Sequence, residues 1–300
     1  MVRAVAFRVV LRQQPRPVVA GDYSNSLISR GMSLPTGRAR TGGSMKLIVS
    51  CIACLIASAA VLDVGAASAA ELKVFSSLAF SDAWRQLKPQ FETRGHQLTL
   101  VVGTSGMMSK RVGEGEVGDV ILSTTSSIDA LIKDGRIVAG SSRPIAGSGV
   151  GISVRKGAPK PDISTPERLK QALLSAKAVA YSDPVGGGAS GVYFAKVLQQ
   201  LGIADQVNAK AKLGRGVPNG AALVRGEADI AVQQIPELIS VAGTDLVGPL
   251  PRELQSITNF SAAVVSTCKD RKAASSLIEF LASPQTAAML KAGGFEVTLR

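Results

Sequence analysis

The sequence predicts an α/β protein of two doubly wound lobes joined by two crossover strands. Three observations predict it. Between residues 71 and 134 the chain runs three times through strand, serine-bearing turn and helix. A second alternating series occupies residues 166 to 234, and two apolar stretches, Ile145–Val154 and Ser261–Val265, stand where the chain would leave the first lobe and return to it. Successive β-turn-α units imply a parallel sheet with helices on its faces, and ligands then gather outside the carboxyl ends of the strands.

In the first unit Glu71–Phe75 reads as a strand and Ser76-Ser77-Leu78 as its turn. Phe80–Thr93 reads as a helix, with Phe80, Ala83, Trp84, Leu87 and Phe91 at helical spacing and Pro89 as an internal kink. The second unit is strand Gln97–Val102, turn Gly103-Thr104-Ser105-Gly106 and a helix from Met107 to about Glu114. Its two glycines let the backbone approach a ligand. Thr104 and Ser105 offer hydroxyls, and the helix start offers unpaired N–H groups, a combination suited to a small anion. The same residues also read as an ordinary strand-to-helix turn with a Ser or Thr cap. The third unit is strand Asp119–Leu122, turn Ser123–Ser126 and helix Ser127–Asp134. All three turns carry serine rather than a carboxylate, a histidine or a phosphate-loop lysine. The edge they form reads as built to donate hydrogen bonds without proton chemistry.

Past the first crossing, the pattern predicts helix Pro166–Ser175, strand Ala178–Tyr181, turn Ser182–Ala189 and helix Ser190–Leu201. The glycine-rich loop Asp183–Gly191 lacks the spacing and the acidic second strand of a dinucleotide site. Residues Leu213–Gly220 lead into helix Ala221–Arg225 and strand Asp229–Val232, which ends at Gln233-Gln234. Helices Arg271–Leu281 and Pro284–Ala292 close the chain, the latter capped by Gly293-Gly294. This assigns residues 71–147 and 268–300 to one lobe and 148–267 to the other.

The first seventy residues are unlike the rest. Met45-Lys46, an apolar run over Leu47–Leu62 and Ala67-Ser68-Ala69-Ala70 have the charged start, hydrophobic middle and small-residue end of a secretory signal peptide, with cleavage after Ala69 or Ala70. Residues 1–44, with seven Arg and one Asp, read as an upstream start or a disordered extension. Removing residues 1–70 lowers the net charge from +12 to +6, since 26 Lys and Arg then face 20 Asp and Glu. That balance fits an anionic ligand, and with no basic-aromatic stripe it speaks against nucleic acid. Of three cysteines only Cys268 would remain, which excludes an intrachain disulfide. The single histidine, His96, has no metal-ligand spacing around it and reads as a loop residue.

The run of motifs Val74-Phe75-Ser76-Ser77-Leu78, Gly103-Thr104-Ser105-Gly106, Gly118-Asp119-Val120, Ala189-Ser190-Gly191-Val192-Tyr193, Gly226-Glu227-Ala228-Asp229-Ile230 and Ser283-Pro284-Gln285-Thr286-Ala287 resembles the type II periplasmic solute-binding proteins. Within them it is similar to molybdate-binding-protein-like chains. The resemblance covers residues 71–300. It implies an oxyanion held by neutral donors: Ser77 or its neighbour Ser76, then Ser105, and backbone amides near Ser190 and Val217. The family's phenolic donor falls near Gln233-Gln234, where this chain has no phenol. Thr104 and Ala189 complete the expected ligand-binding set. Arg111 and Arg215 either face solvent or serve a larger organic acid.

The resemblance further implies a monomeric periplasmic component of an ABC importer, working with an inner-membrane permease and its ATPase and carrying neither cofactor nor side-chain-bound metal. Organic di- or tricarboxylates are the alternative ligand class, and a sensory or accessory binding protein without an importer is the alternative role. An enzyme would need a base or nucleophile in the cleft. Asp183 is the best candidate, and its place before Pro184 suits a structural turn equally well.

Overall fold

The structure, a computed structural model, describes residues 70–297; the expected signal peptide and the segment before it lie outside them. The first elements are β1 (Glu71–Ser77), a 3-10 turn (Leu78–Phe80), α1 (Trp84–Glu92), β2 (Gln97–Gly103), α2 (Ser105–Gly113), β3 (Val120–Thr124), α3 (Thr125–Lys133) and β4 (Arg143–Arg155). There follow α4 (Pro166–Ser175), β5 (Val179–Ser182), α5 (Ala189–Gln200), α6 (Ala204–Asn208), β6 (Ala211–Gly214), α7 (Gly220–Val224) and β7 (Ile230–Gln234). The last are α8 (Ile235–Ile239), β8 (Thr244–Pro249), a second 3-10 turn (Arg252–Leu254), β9 (Ile257–Val264), α9 (Arg271–Leu281) and α10 (Pro284–Ala292).

The three strand-turn-helix units are all present, with helix starts displaced from where the apolar periodicity puts them. Thr104 accepts a hydrogen bond from the Met107 amide at 3.1 Å and Thr124 one from the Ser127 amide at 3.3 Å. These hydroxyl caps start α2 at Ser105 and α3 at Thr125, because capping, not hydrophobic period, satisfies the first free amides of a helix. In the first unit the opposite happens. Leu78–Phe80 form a 3-10 turn, so the helix expected from Phe80 begins at Trp84.

The strands run in the order β2-β1-β3-β9-β4-β7-β5-β6, with β8 on β4. Strands β1, β2 and β3 are parallel, as are β5, β6 and β7, while β9 is antiparallel to both its neighbours. The long strand β4 joins the two halves. Up to Gly149 it pairs with β9, and from Val150 it pairs with β7, with β8 alongside from Gly151. The expected return crossing, Ser261–Val265 at the end of the second lobe, needs correction. It is the end of β9, which begins at Ile257 and pairs only with β3 and the first half of β4, so its hydrogen bonds hold it in the first sheet.

Each half-sheet buries apolar side chains on both faces, the mark of a doubly wound arrangement. In the first, Phe80 stacks on Phe295 at 4.5 Å and meets Phe260 edge-on at 5.3 Å, while Phe75, Met108, Ile121 and Ile128 fill the opposite face. In the second, Val150, Ile152, Tyr181 and Phe194 form one side, and Ala180, Leu223, Ala231 and Leu238 the other. His96 stacks on Phe91 in the loop before β2, and Cys268 is buried and free.

Candidate functional site

Strands β1, β2 and β3 end side by side, with Ser77 in register with Gly103, so their turns share one edge. There the Ser105 hydroxyl donates to Ser77 Oγ at 3.2 Å, and Ser123 Oγ donates to the Ser105 carbonyl at 3.4 Å. Alternation along β1 separates the two adjacent serines. Ser76 points into the core, where its Oγ accepts from Trp84 Nε1 at 2.7 Å. Only Ser77 of the pair lines the cavity between the half-sheets.

The facing wall comes from the ends of β5 and β7. Gly188 is the N-cap of helix α5 and offers no side-chain cap, so the first-turn amides at Ala189 and Ser190 belong to residues that line the cavity. A Cβ on Gly191 would lie 1.9 Å from the Ser182 carbonyl oxygen, so only glycine lets the helix start pack this closely on the end of β5. The Ser190 hydroxyl donates to Ser182 Oγ at 3.4 Å.

Gln233 and Gln234 also line the cavity, but their amides already have partners. Gln233 Oε1 accepts from the Asn219 amide at 2.6 Å and its Nε2 donates to the Val217 carbonyl at 3.3 Å, which holds Val217 against the cavity. With its amide oriented to satisfy its neighbours, Gln234 accepts from Thr258 Oγ1 at 2.8 Å and donates to Ser148 Oγ at 3.0 Å. It thereby ties the end of β7 to β4, which joins the halves, and to β9 of the first half-sheet.

Two contacts cross the cleft at its rim. Thr104 Oγ1 donates to the Gly186 carbonyl at 2.8 Å, and the Gly106 amide donates to the Gly187 carbonyl at 3.1 Å. The glycines meet backbone to backbone: a Cβ on Gly106 would lie 2.6 Å from Gly187 Cα. The lobes are therefore closed on one another, around a cavity of only about 10 Å³.

The expected site residues thus fall into two groups. Ser77, Thr104, Ser105, Ala189, Ser190, Val217, Gln233 and Gln234 all line the cavity. Ser76, Arg111 and Arg215 do not. Arg111 Nη2 donates to Glu116 Oε1 at 2.8 Å, and Lys73 Nζ reaches the same carboxylate at 2.8 Å, an ion-pair group that holds Glu116 down to about 2. Arg215 Nε donates to Asp183 Oδ2 at 2.8 Å, with its own side chain 79% exposed. Asp183 is no free base. Burial opposes its ionisation, but the Val185 amide and Arg215 prevail and keep its carboxyl below the usual range.

Sequence reasoning missed Glu237, whose side chain is buried on α8 and lines the cavity. Burial pushes its carboxyl up to about 8, against a smaller opposing hydrogen bond from Gln233. The signal was present: strand β7 ends in a turn onto a helix, with Pro236 at its start, on the same edge as the others. Among the lining residues there is no Lys, Arg or His, and Glu237 is the one carboxyl. Hydroxyls and helix-start amides lining a small, enclosed space can hold an anion without a countercharge, because such donors act more strongly at low dielectric than in water. Among the described residues no group of three His, Cys, Asp or Glu side chains is placed to hold a metal.

A family model described as bacterial extracellular solute-binding protein matches residues 72–296. The chain is 34% identical over 232 residues to an aconitate isomerase from Pseudomonas sp, covering 75% of this chain and 87% of that one. It is 26% identical over 241 residues to the molybdate-binding protein ModA of Azotobacter vinelandii, covering 77% and 91%. The solved structure of the Azotobacter vinelandii periplasmic molybdate-binding protein superposes with a TM-score of 0.65 at 21% identity, over 76% of this chain and 99% of that one. The fold is the type II periplasmic binding protein fold, and the chain belongs to the bacterial extracellular solute-binding protein family.

Proposed function

We propose that the protein is a periplasmic binding component that closes its two lobes on one small anion, with a compact oxyanion such as molybdate as the preferred class. The observation that carries this is the chemistry of the lining, where Ser77 and Ser105 from one lobe face the start of α5 and Ser190 from the other, with no cationic side chain. The enclosed space of about 10 Å³ has room for roughly one water, so the lobes part slightly to seat the anion. Five or so neutral hydrogen bonds to a charged ligand, each contributing about 1.5 to 3 kcal/mol, suffice for tight binding without a salt bridge. The protein acts as a monomer and as the solute-capturing partner of an inner-membrane ABC permease and its ATPase; the family match supports the solute-capturing role. A thermal-shift panel of molybdate, tungstate, sulfate, phosphate and aconitate tests the reading. A ligand at about a thousand times its dissociation constant stabilises the folded state by roughly 4 kcal/mol, so an oxyanion should raise the melting temperature clearly. No shift with any oxyanion would refute it.

One observation favours a second reading, in which the ligand is an unsaturated tricarboxylate that the protein isomerises as its 34% identical relative is named for doing. Moving a double bond along such a skeleton requires a group that takes a proton from one carbon and returns it to another, and Glu237 is a buried carboxyl pushed up to about 8 by burial. Against it, the cavity offers no cation to three carboxylates, since Arg111 and Arg215 are paired elsewhere. Following the ratio of cis- to trans-aconitate by NMR in the presence of the protein separates the two readings.

A further inference from the structure

Glu237 has no part in a cavity that works by neutral donors alone unless it too is neutral. Its side chain is buried, and it is the one carboxyl among the lining residues. Helix α8, which carries it, packs against β4, β7, β8 and the first 3-10 turn. The charged side chains of those elements are Arg143, Arg155 and Asp245, and each is engaged away from Glu237. Arg143 donates to the Gly140 carbonyl, Arg155 to the Leu223 carbonyl, and Asp245 accepts from the Gly157 amide. Across the cleft the cavity presents only the hydroxyls of Ser77, Thr104 and Ser105 with Leu78 and Phe260. Apart from the hydrogen bond from Gln233, nothing on these elements compensates a negative charge at this position, so an ionised Glu237 and a bound anion would repel each other in the enclosed space.

Resting on the anion-site reading above, we propose that Glu237 is a specificity-determining residue that binds the anion only as its carboxylic acid, donating its proton as a hydrogen bond to an anion oxygen. The acid form acts as one more neutral donor. Loss of that proton to solvent turns the same side chain into an acceptor that rejects the ligand, so affinity is coupled to pH through a single group. Burial raises this carboxyl to about 8, which puts the change of affinity on the alkaline side.

The test is calorimetric titration of the protein with molybdate, which has no proton of its own to exchange above neutral pH, at several pH values and in buffers of different ionisation enthalpy. Below about pH 8 affinity should be flat and no proton should be taken up. Above it, affinity should fall about tenfold per pH unit, with uptake approaching one proton per anion. Glu237→Gln keeps a neutral donor and should bind within a few-fold of the parent at neutral pH with no alkaline fall. The proton count on the unsubstituted protein decides the matter independently if that variant fails to fold. Binding with a flat profile, or an alkaline fall that persists in Glu237→Gln, overturns this inference and leaves the anion site standing. No molybdate binding at any pH removes both.

Discussion

The contact between Gly106 and Gly187 makes closure testable by one methyl group. Gly106 is the second residue of α2 and has ordinary helical backbone, so alanine there introduces no strain and gains up to about 1 kcal/mol of helix propensity. In the closed form, however, the new Cβ would lie 2.6 Å from Gly187 Cα and 3.0 Å from its carbonyl oxygen, and both are backbone atoms that cannot rotate away. The lobes must part at the rim. That breaks the hydrogen bonds from Gly106 to Gly187 and from Thr104 to Gly186. Two such bonds contribute about 1 to 3 kcal/mol together, which is roughly a 5- to 150-fold loss of ligand affinity. Gly106→Ala should therefore leave the melting temperature of the free protein unchanged or slightly raised while weakening binding, and small-angle scattering should show incomplete compaction with ligand. Gly187 is a poorer site for the test, because its φ of +69° would add backbone strain to the clash. Undiminished affinity with full compaction in Gly106→Ala would refute the closure argument.

Ser105→Ala removes a hydroxyl from the cavity and should weaken anion binding by about 1.5 to 3 kcal/mol by calorimetry, whereas Arg111→Met and Arg215→Met should change affinity little. Ser76→Ala should do the reverse of Ser105→Ala: it leaves the Trp84 indole N–H unpaired in the core and lowers unfolding free energy by about 1 to 3 kcal/mol in denaturant titration, with ligand affinity retained. Glu237 also sets a stability slope in the free protein. Its folded-state value of about 8 lies above the unfolded value near 4.5, so between these two the unfolded chain holds fewer protons and stability falls as pH rises. Glu237→Gln should remove that slope, about 1.4 kcal/mol per pH unit at most, and gain on the parent progressively from about pH 5 to pH 8 in urea titrations.

The strand-turn-helix units were legible because their apolar spacing changes from one period to the other across a polar turn, and this alone puts Ser77, Thr104 and Ser105 at the strand ends of the first half-sheet and Ser190 after a strand end of the second. Elements without such a pattern were not. Strand β6 reads Ala-Lys-Leu-Gly and β8 Thr-Asp-Leu-Val-Gly-Pro, both partly exposed with no alternation, so neither shows a strand period. Gln233 and Gln234 were legible as cavity residues but not as braces, since their partners Asn219, Thr258 and Ser148 lie 14, 24 and 86 positions away in numbering. Arg215 reads as a free cation until folding brings Asp183 to it from 32 positions away. The turn that carries Glu237 was legible on the strand edge but its burial was not: a glutamate two residues into a short helix is ordinarily solvated, and only the packing of α8 against β4 and β7 buries it.

The central claim is that a compact anion is held between the lobes by neutral donors. Its most direct measurement is a calorimetric titration of the protein with molybdate near neutral pH, repeated with trans-aconitate. The account predicts one molybdate bound per chain, more tightly than aconitate, with affinity that changes little with salt because no ion pair is made. Tighter binding of aconitate, or no heat with molybdate, would contradict it.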